Sequence, residues 1–103
     1  MEFIETSIFS KLIYTYLTDD EYLGLQIYLL QHPEEGNIVR GSGGVRKLRW
    51  GSSGKGKRGG VRVIYYFKKR AGEIWMLTIY GKSEIENIPA HILRQIAEEV
   101  DDA

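Results

Sequence analysis

The apolar residues of this chain change their spacing near Gly36, and that change limits the folds that the chain can adopt. Ahead of it, residues such as Ile8 and Leu12 recur every three or four positions, which places them on one side of a helix. Beyond it, Val61 and Val63 belong to an alternating pattern that gives a strand one apolar face. A chain of 103 residues is long enough for one domain with a single core. The sequence therefore predicts one α+β domain over residues 1–103.

Three helices follow from the apolar spacing and from signals at their ends. The first covers about residues 8–17. Thr18 and Glu21 have the spacing of a capping box, in which a hydroxyl and a carboxylate satisfy the free amides of a helix start. This second helix should end before Pro33, because the residue before a proline disfavours the helical region. Pro89 is typical of the start of a helix and predicts a third one near the C-terminal end.

Four strands complete the predicted order β-α-α-β-β-β-α. A short opening strand is predicted around Phe3, and apolar residues mark three more strands at residues 47–50, 61–67 and 74–80. The last of these is apolar almost throughout, which favours burial on both faces. Because the later strands are joined by short turns, we expect a small, mainly antiparallel sheet packed against the helices.

Charge is distributed unevenly along the chain, although its 14 basic and 14 acidic residues cancel. Residues 40–70 hold eleven of the basic residues and none of the acidic ones. One sign of charge at this density repels itself unless a polyanion or an acidic partner neutralises it. A basic stripe of this kind is typical of nucleic-acid binding. The strand cations should line the open side of the sheet, because burial of unpaired cations is prohibitive.

Several classes of protein are excluded by what the sequence lacks. It has no cysteine, which excludes a disulfide framework and a thiolate nucleophile or metal site. Its two histidines, His32 and His91, are far apart in the sequence and give zinc little to bind. The N-terminus lacks the pattern of a signal peptide, and no apolar run approaches the length of a membrane span. We therefore expect a cytoplasmic protein without a metal or cofactor.

The glycine-rich segment between the second and third predicted strands imitates two nucleotide-binding motifs. Residues 51–57 fit G-x-x-x-x-G-K, and residues 54–59 fit G-x-G-x-x-G. Both motifs should open a helix, whereas a strand follows here, and Arg58 stands where a P-loop needs serine or threonine. The interpretation as a phosphate loop for mononucleotides is therefore not favoured. Lys55, Lys57 and Arg58 instead predict a basic loop that settles on a phosphate backbone.

Aromatic residues lie among the basic ones and can have either of two roles. Trp50 and Tyr65 occupy the apolar side of their strands, which predicts core packing. Tyr66 shares the alternation of Arg62 and is therefore the candidate to stack on a nucleic-acid base.

Three strings of sequence carry a family resemblance. They are GSGGVRKLRW at residues 41–50, GKGKRGGVRVIYY at residues 54–66 and YGKS at residues 80–83. Together they resemble the RelE/HigB superfamily of bacterial type II toxins, particularly the HigB branch. The resemblance implies a RelE-like microbial RNase fold and ribosome-dependent cleavage of mRNA in the A site, in which a 2′-hydroxyl attacks the adjacent phosphate.

The resemblance also implies roles for basic residues, which dominate catalysis in RelE-like enzymes. Lys47 is expected to act as the general base, and Arg49 and Arg62 to stabilise the transition-state phosphate. Lys82 is expected to hold the flanking backbone. The residues expected to bind RNA around them are Arg46, Lys55, Lys57, Arg58 and Tyr66.

Partners follow from the same resemblance. Such toxins are neutralised by a cognate antitoxin, usually with a helix-turn-helix DNA-binding domain, and they act on the ribosome and its mRNA. Two alternatives stay open from the sequence. One is a non-catalytic toxin that is similar to the ParE poisons of DNA gyrase, and the other is a plain nucleic-acid-binding module.

Overall fold

Three helices and five strands form the part of the chain that the structure, a computed structural model, describes: residues 1–51, 60–81 and 88–102. In chain order the elements are β1 (Glu2–Glu5), α1 (Ser7–Tyr16), α2 (Asp19–Gln31), β2 (Asn37–Ile38), β3 (Arg46–Trp50), β4 (Val61–Lys68), β5 (Glu73–Gly81) and α3 (Ala90–Asp102). A single 3-10 turn at Lys69–Ala71 joins β4 to β5. Within these residues, no helix is long and apolar enough to cross a membrane.

Side-chain caps begin the first two helices. The hydroxyl of Thr6 accepts a hydrogen bond from the backbone N–H of Phe9 at 3.1 Å, which starts α1. At the start of α2, Thr18 and Glu21 form the predicted capping box, with bonds of 3.2 and 2.9 Å between each side chain and the other residue's backbone N–H. These bonds satisfy amides that a helix start leaves without an intrahelical acceptor.

The strands form one mixed sheet in the order β1-β5-β4-β3-β2. The pairs among β2, β3, β4 and β5 are antiparallel, as predicted, whereas β1 is parallel to β5. Thr6 fixes this parallel pair, since its hydroxyl donates to the Leu77 carbonyl at 2.7 Å. The small α+β architecture is thus confirmed, with a fifth strand, β2, that was not predicted.

The sheet has a core on each face. Helices α1 and α2 cover one face, and the buried residues there include Phe9, Leu25, Val63 and Tyr65. Helix α3 packs on the other face, where Leu93 and Ala97 meet a second buried cluster with Val45, Ile64, Leu77 and Tyr80. We call the first the α1/α2 face and the second the α3 face. Tyr65 is fully buried and Trp50 packs against the first cluster, which confirms the core role predicted for both.

Candidate nucleic-acid interface

Two cross-strand rows of side chains build the candidate site on the α3 face. In the first row, Arg49 of β3 lies opposite Arg62 of β4, which lies opposite Tyr80 of β5. In the second row, Lys47 lies opposite Ile64. Because Ile64 and Tyr80 belong to the α3 cluster, and opposed residues share a face, all of these side chains are on the α3 face. The predicted grouping of Lys47, Arg49 and Arg62 on one face is therefore present.

The three cations lie within reach of one phosphate group. Opposed residues such as Arg49 and Arg62 have Cβ atoms about 5 Å apart, and diagonal neighbours such as Lys47 and Arg62 are separated by about 7 to 8 Å. They border a concavity of about 410 Å³ that residues 37–39 also line. We call Lys47, Arg49 and Arg62 the basic site, and residues 37–39 the site wall.

The opposition of Arg49 and Arg62 brings two like charges together. Like charges directly opposite in a sheet are destabilising, and Arg49 is exposed while Arg62 is only half-buried. A phosphate between two guanidinium groups reverses this cost, because each group presents a planar set of donors that suits phosphate oxygens. The arrangement is thus one that an anion stabilises.

Lys47 lies at the boundary between this concavity and the core under α3. Lys47 lines the concavity of the basic site. Together with Ile64, Tyr80 and Leu93, it also lines a smaller cavity of about 30 Å³. Its side chain is half-buried. A lysine can pack its methylene stem against apolar side chains while its ammonium group stays in water. This position gives Lys47 fewer conformations than a lysine on an open surface.

Two further residues of the site were missed by sequence reasoning. Asn37 lies opposite Lys47 on the edge strand β2, whose two residues are too few to show a period. Tyr80 lies beside Arg62, and the alternation of β5 could have indicated it. Burial raises the pKa of Tyr80, and the neighbouring Arg62 guanidinium lowers it to a smaller extent. The Tyr80 hydroxyl is therefore neutral at physiological pH and able to donate a hydrogen bond.

Arg46 is not brought together with the basic site. It lies opposite Tyr65 and so projects on the α1/α2 face. Its Nη1 donates to the carbonyls of Glu34 at 2.9 Å and Gly36 at 2.8 Å, and its Nη2 is 3.8 Å from the Glu34 carboxylate. Only 17% of its side chain is exposed. The structure therefore places Arg46 behind the site, where it holds the chain between α2 and β2.

Tyr66 lies on the α3 face, as its alternation with Arg62 predicted. Its ring packs at the edge of the α3 cluster, and its Oη donates to the Asp101 carboxylate at 2.9 Å. Burial, and then the hydrogen bond to Asp101, raise the pKa of Tyr66 to about 12. The hydroxyl thus holds the end of α3, and the half-buried ring is the part that can contact a base.

The Tyr66 ring and hydroxyl can be separated experimentally. We expect Tyr66→Phe to keep most of the affinity for a short single-stranded RNA, because the ring survives. Tyr66→Ala should weaken that affinity by about 1 to 3 kcal/mol, the range measured for loss of one stacking aromatic side chain. Fluorescence anisotropy with the same labelled RNA measures both, and equal affinity in the two variants contradicts a stacking role.

The other predicted site residues, Lys55, Lys57, Arg58 and Lys82, lie outside the described residues. Another concavity, of about 520 Å³, lies at the corner between α1 and α2, where Asp19 and Glu21 contribute carboxylates. Across the described ranges, no three histidine, aspartate or glutamate side chains are grouped to hold a metal ion.

The arrangement on the α3 face can bind an extended anion and stabilise charge that develops on it. Its components are three cations on neighbouring strands and an open concavity that residues 37–39 also line. No protein-family model matches the chain.

Proposed function

We propose that this protein is the toxin of a type II toxin-antitoxin system, a RelE/HigB-like endoribonuclease that cleaves mRNA in the ribosomal A site. The observation that supports it most is the direct opposition of Arg49 and Arg62, with Lys47 two residues along the same strand as Arg49. Two opposed arginines bring like charges together, an arrangement that suits an anionic ligand. A phosphoryl-transfer site needs donors on both sides of a phosphate.

The proposed reaction is an internal transfer that needs no added reactant. The 2′-oxygen of one nucleotide bonds to the adjacent phosphorus while the bond from phosphorus to the 5′-oxygen breaks. Lys47 takes the proton of the 2′-hydroxyl, water donates a proton to the departing 5′-oxygen, and the resulting hydroxide recovers the proton held by Lys47. The products are a 2′,3′-cyclic phosphate and a 5′-hydroxyl end. Protein cations carry out this scheme, which requires no metal.

Charge stabilisation is assigned to the two opposed arginines. The phosphorus gains a fifth oxygen neighbour in the transition state, and its non-bridging oxygens gain negative charge. Arg49 and Arg62 approach from neighbouring strands and donate charge-assisted hydrogen bonds to these oxygens. By the family resemblance, Lys82 holds the flanking backbone, and Lys55, Lys57 and Arg58 bind RNA.

Partners belong to the same proposal. The ribosome presents one codon in a fixed conformation, which offsets the shallow shape of the concavity on the protein itself. A cognate antitoxin with a helix-turn-helix domain neutralises the toxin in the cytoplasm, and an acidic segment of such a partner complements residues 40–70.

Ribosome-programmed cleavage tests the proposal directly. Purified protein is added to ribosomes that are translating a defined mRNA, and primer extension maps new 5′ ends; the same mRNA without ribosomes is the control. We expect cuts inside the A-site codon and little cleavage of naked mRNA. Absence of ribosome-dependent cuts contradicts the proposal. Inhibition of gyrase in a supercoiling assay then favours a ParE-like poison, and salt-dependent RNA binding alone favours a binding module.

Arg49 provides a second, quantitative prediction. For a single-stranded RNA, the logarithm of the affinity falls linearly with the logarithm of the salt concentration. If the Arg49 guanidinium contacts one phosphate, Arg49→Gln should make this slope shallower by about 0.7. Lys11→Gln, an exposed cation on α1, which covers the opposite face of the sheet, is the matched control and should leave the slope unchanged. Equal slopes for wild type and Arg49→Gln contradict the assignment of Arg49 as a phosphate ligand.

A further inference from the structure

A group of hydrogen bonds lies directly behind the basic site, on the α1/α2 face. The hydroxyl of the fully buried Tyr65 accepts from the backbone N–H of Gly36 at 3.0 Å and donates to the carbonyl of Pro33 at 2.9 Å. Arg46 adds its bonds to the carbonyls of Glu34 and Gly36. Four backbone groups of residues 33–36 are thus held by two side chains of β3 and β4. We call Tyr65 and Arg46 the clamp.

Gly36 shows how closely this segment is pressed against the clamp. A Cβ atom added at Gly36 would lie 2.9 Å from both Cε1 and Oη of Tyr65 and 3.2 Å from Cβ of Arg46. Such distances are shorter than ordinary van der Waals contact, so a glycine is needed for the close approach. The main chain at Gly36 therefore has one position relative to Tyr65.

The segment leads without a break into the site wall. Asn37 follows Gly36 and lies opposite Lys47, and Val39 returns to the sheet region through its N–H bond to the Val45 carbonyl at 2.8 Å. Strand β2 has only two residues, so its own ladder with β3 is a weak support. The position of the wall therefore depends on how residues 33–36 are held, and the clamp holds them.

We propose that Tyr65 and Arg46 are positioning residues of the site, which act through the sheet by fixing the site wall against Lys47 and Arg49. The wall lines the same concavity as the cations, so its position limits where an RNA phosphate lies relative to them. A displacement of about 1 Å is enough to cost a large factor in rate when reacting groups must be aligned. The effect on cleavage rests on the proposed function, whereas the effect on the wall does not.

The chain offers a chemically matched control for the clamp. Tyr22 is also a buried tyrosine on the α1/α2 face, but its hydroxyl donates to the Glu5 carboxylate at 2.6 Å. Glu5 is the last residue of β1, which is at the opposite edge of the sheet from β2 and the site wall. Tyr65→Phe and Tyr22→Phe each remove one hydroxyl and leave the ring. Tyr65→Phe removes the hydrogen-bond partner of the Gly36 N–H and of the Pro33 carbonyl, whereas Tyr22→Phe removes that of the Glu5 carboxylate.

Two measurements on these variants test the clamp. Hydrogen exchange at the Val39 amide reports the wall, and we expect Tyr65→Phe to accelerate it at least tenfold while Tyr22→Phe changes it less than twofold. In single-turnover cleavage on ribosomes, Tyr65→Phe should lower the maximal rate about tenfold with little change in half-saturating concentration. Arg46→Met should do the same, and Arg46→Lys should recover part of the loss, because an ammonium group still donates to the carbonyls.

The outcomes separate failure of the clamp from failure of the proposed function. Equal exchange at Val39 in Tyr65→Phe and Tyr22→Phe overturns the clamp, as does equal loss of cleavage in the two variants. If wild-type protein cleaves nothing on ribosomes, the proposed function fails, and exchange at Val39 still decides whether the clamp holds the wall.

Discussion

Replacing Arg62 with alanine is expected to lower the rate of ribosome-dependent cleavage by about 100- to 1,000-fold, the usual cost of losing one preorganised transition-state donor. Affinity for uncleaved RNA should fall far less, because other cations still bind the backbone. The reason is position: Arg62 is on the central strand, whereas Arg49 approaches the phosphate from the neighbouring strand β3, so each arginine is expected to donate from a different side. Single-turnover cleavage and RNA binding, measured on the same samples, separate the two effects.

Lys11→Ala is the control for the change in net charge. Lys11 is exposed on α1, which covers the opposite face of the sheet from the basic site, and its removal should leave the maximal rate unchanged. Arg62→Lys adds information, because a lysine keeps the charge but not the planar pair of donors. If Arg62→Ala cleaves at the wild-type rate, Arg62 is not a transition-state ligand and the site must be assigned anew.

Gly60→Ala is expected to lower the free energy of unfolding by about 3 to 5 kcal/mol, at or above the upper end of the usual range for one substitution, because backbone strain and steric conflict act together. Gly60 has a φ of +63°, and an added Cβ would lie only 2.2 Å from the carbonyl oxygen of Trp50 and 2.8 Å from Cα of Gly51. Both contacts are to backbone, which cannot rotate away. Because the contact joins the end of β3 to the start of β4, relief of the clash would also move Arg49 against Arg62. Urea unfolding, followed by tryptophan fluorescence, measures the stability change.

Gly72→Ala separates the contribution of backbone strain from that of steric conflict. Gly72 has nearly the same φ, +65°, but a Cβ there would meet no atom within 4 Å. Its cost should be about 1 to 2 kcal/mol, that of a left-handed conformation alone. The prediction is wrong if the two alanine variants unfold at the same urea concentration.

Helix α1 and strand β4 could be predicted because apolar residues recur in each at its own period, whereas α2 was indicated by its capping box and β5 by its nearly continuous apolar run. Strand β2 could not be predicted, since two residues show no period. The partner of β1 was also beyond local pattern, because Phe3 pairs with Ile74 and nothing near Phe3 in the sequence indicates that strand. The sheet is consequently mixed instead of wholly antiparallel.

In the candidate site, the alternation of residues along β3 and β4 was sufficient to predict which basic residues share a face of the sheet. Lys47 and Arg49 are two apart on β3, and Arg62 is on the matching face of β4. The same rule argues that Arg46, one residue before Lys47, belongs on the other face, where the structure has it. Asn37 and Tyr80 enter the site only through cross-strand register, which depends on how the whole sheet is assembled.

The parallel pairing of β1 with β5 has a consequence for folding during synthesis. A ribosome makes β1 first, but its neighbour is complete only when the chain has been extended through Gly81. Strands β3 and β4 are close in sequence and can pair early, because closing a short loop costs less entropy than closing a long one. The core under α1 and α2 needs Ile74 and Met76 from β5. We therefore expect β3 and β4 to pair in the nascent chain, and so to bring Arg49 opposite Arg62, before the core on the α1/α2 face has formed.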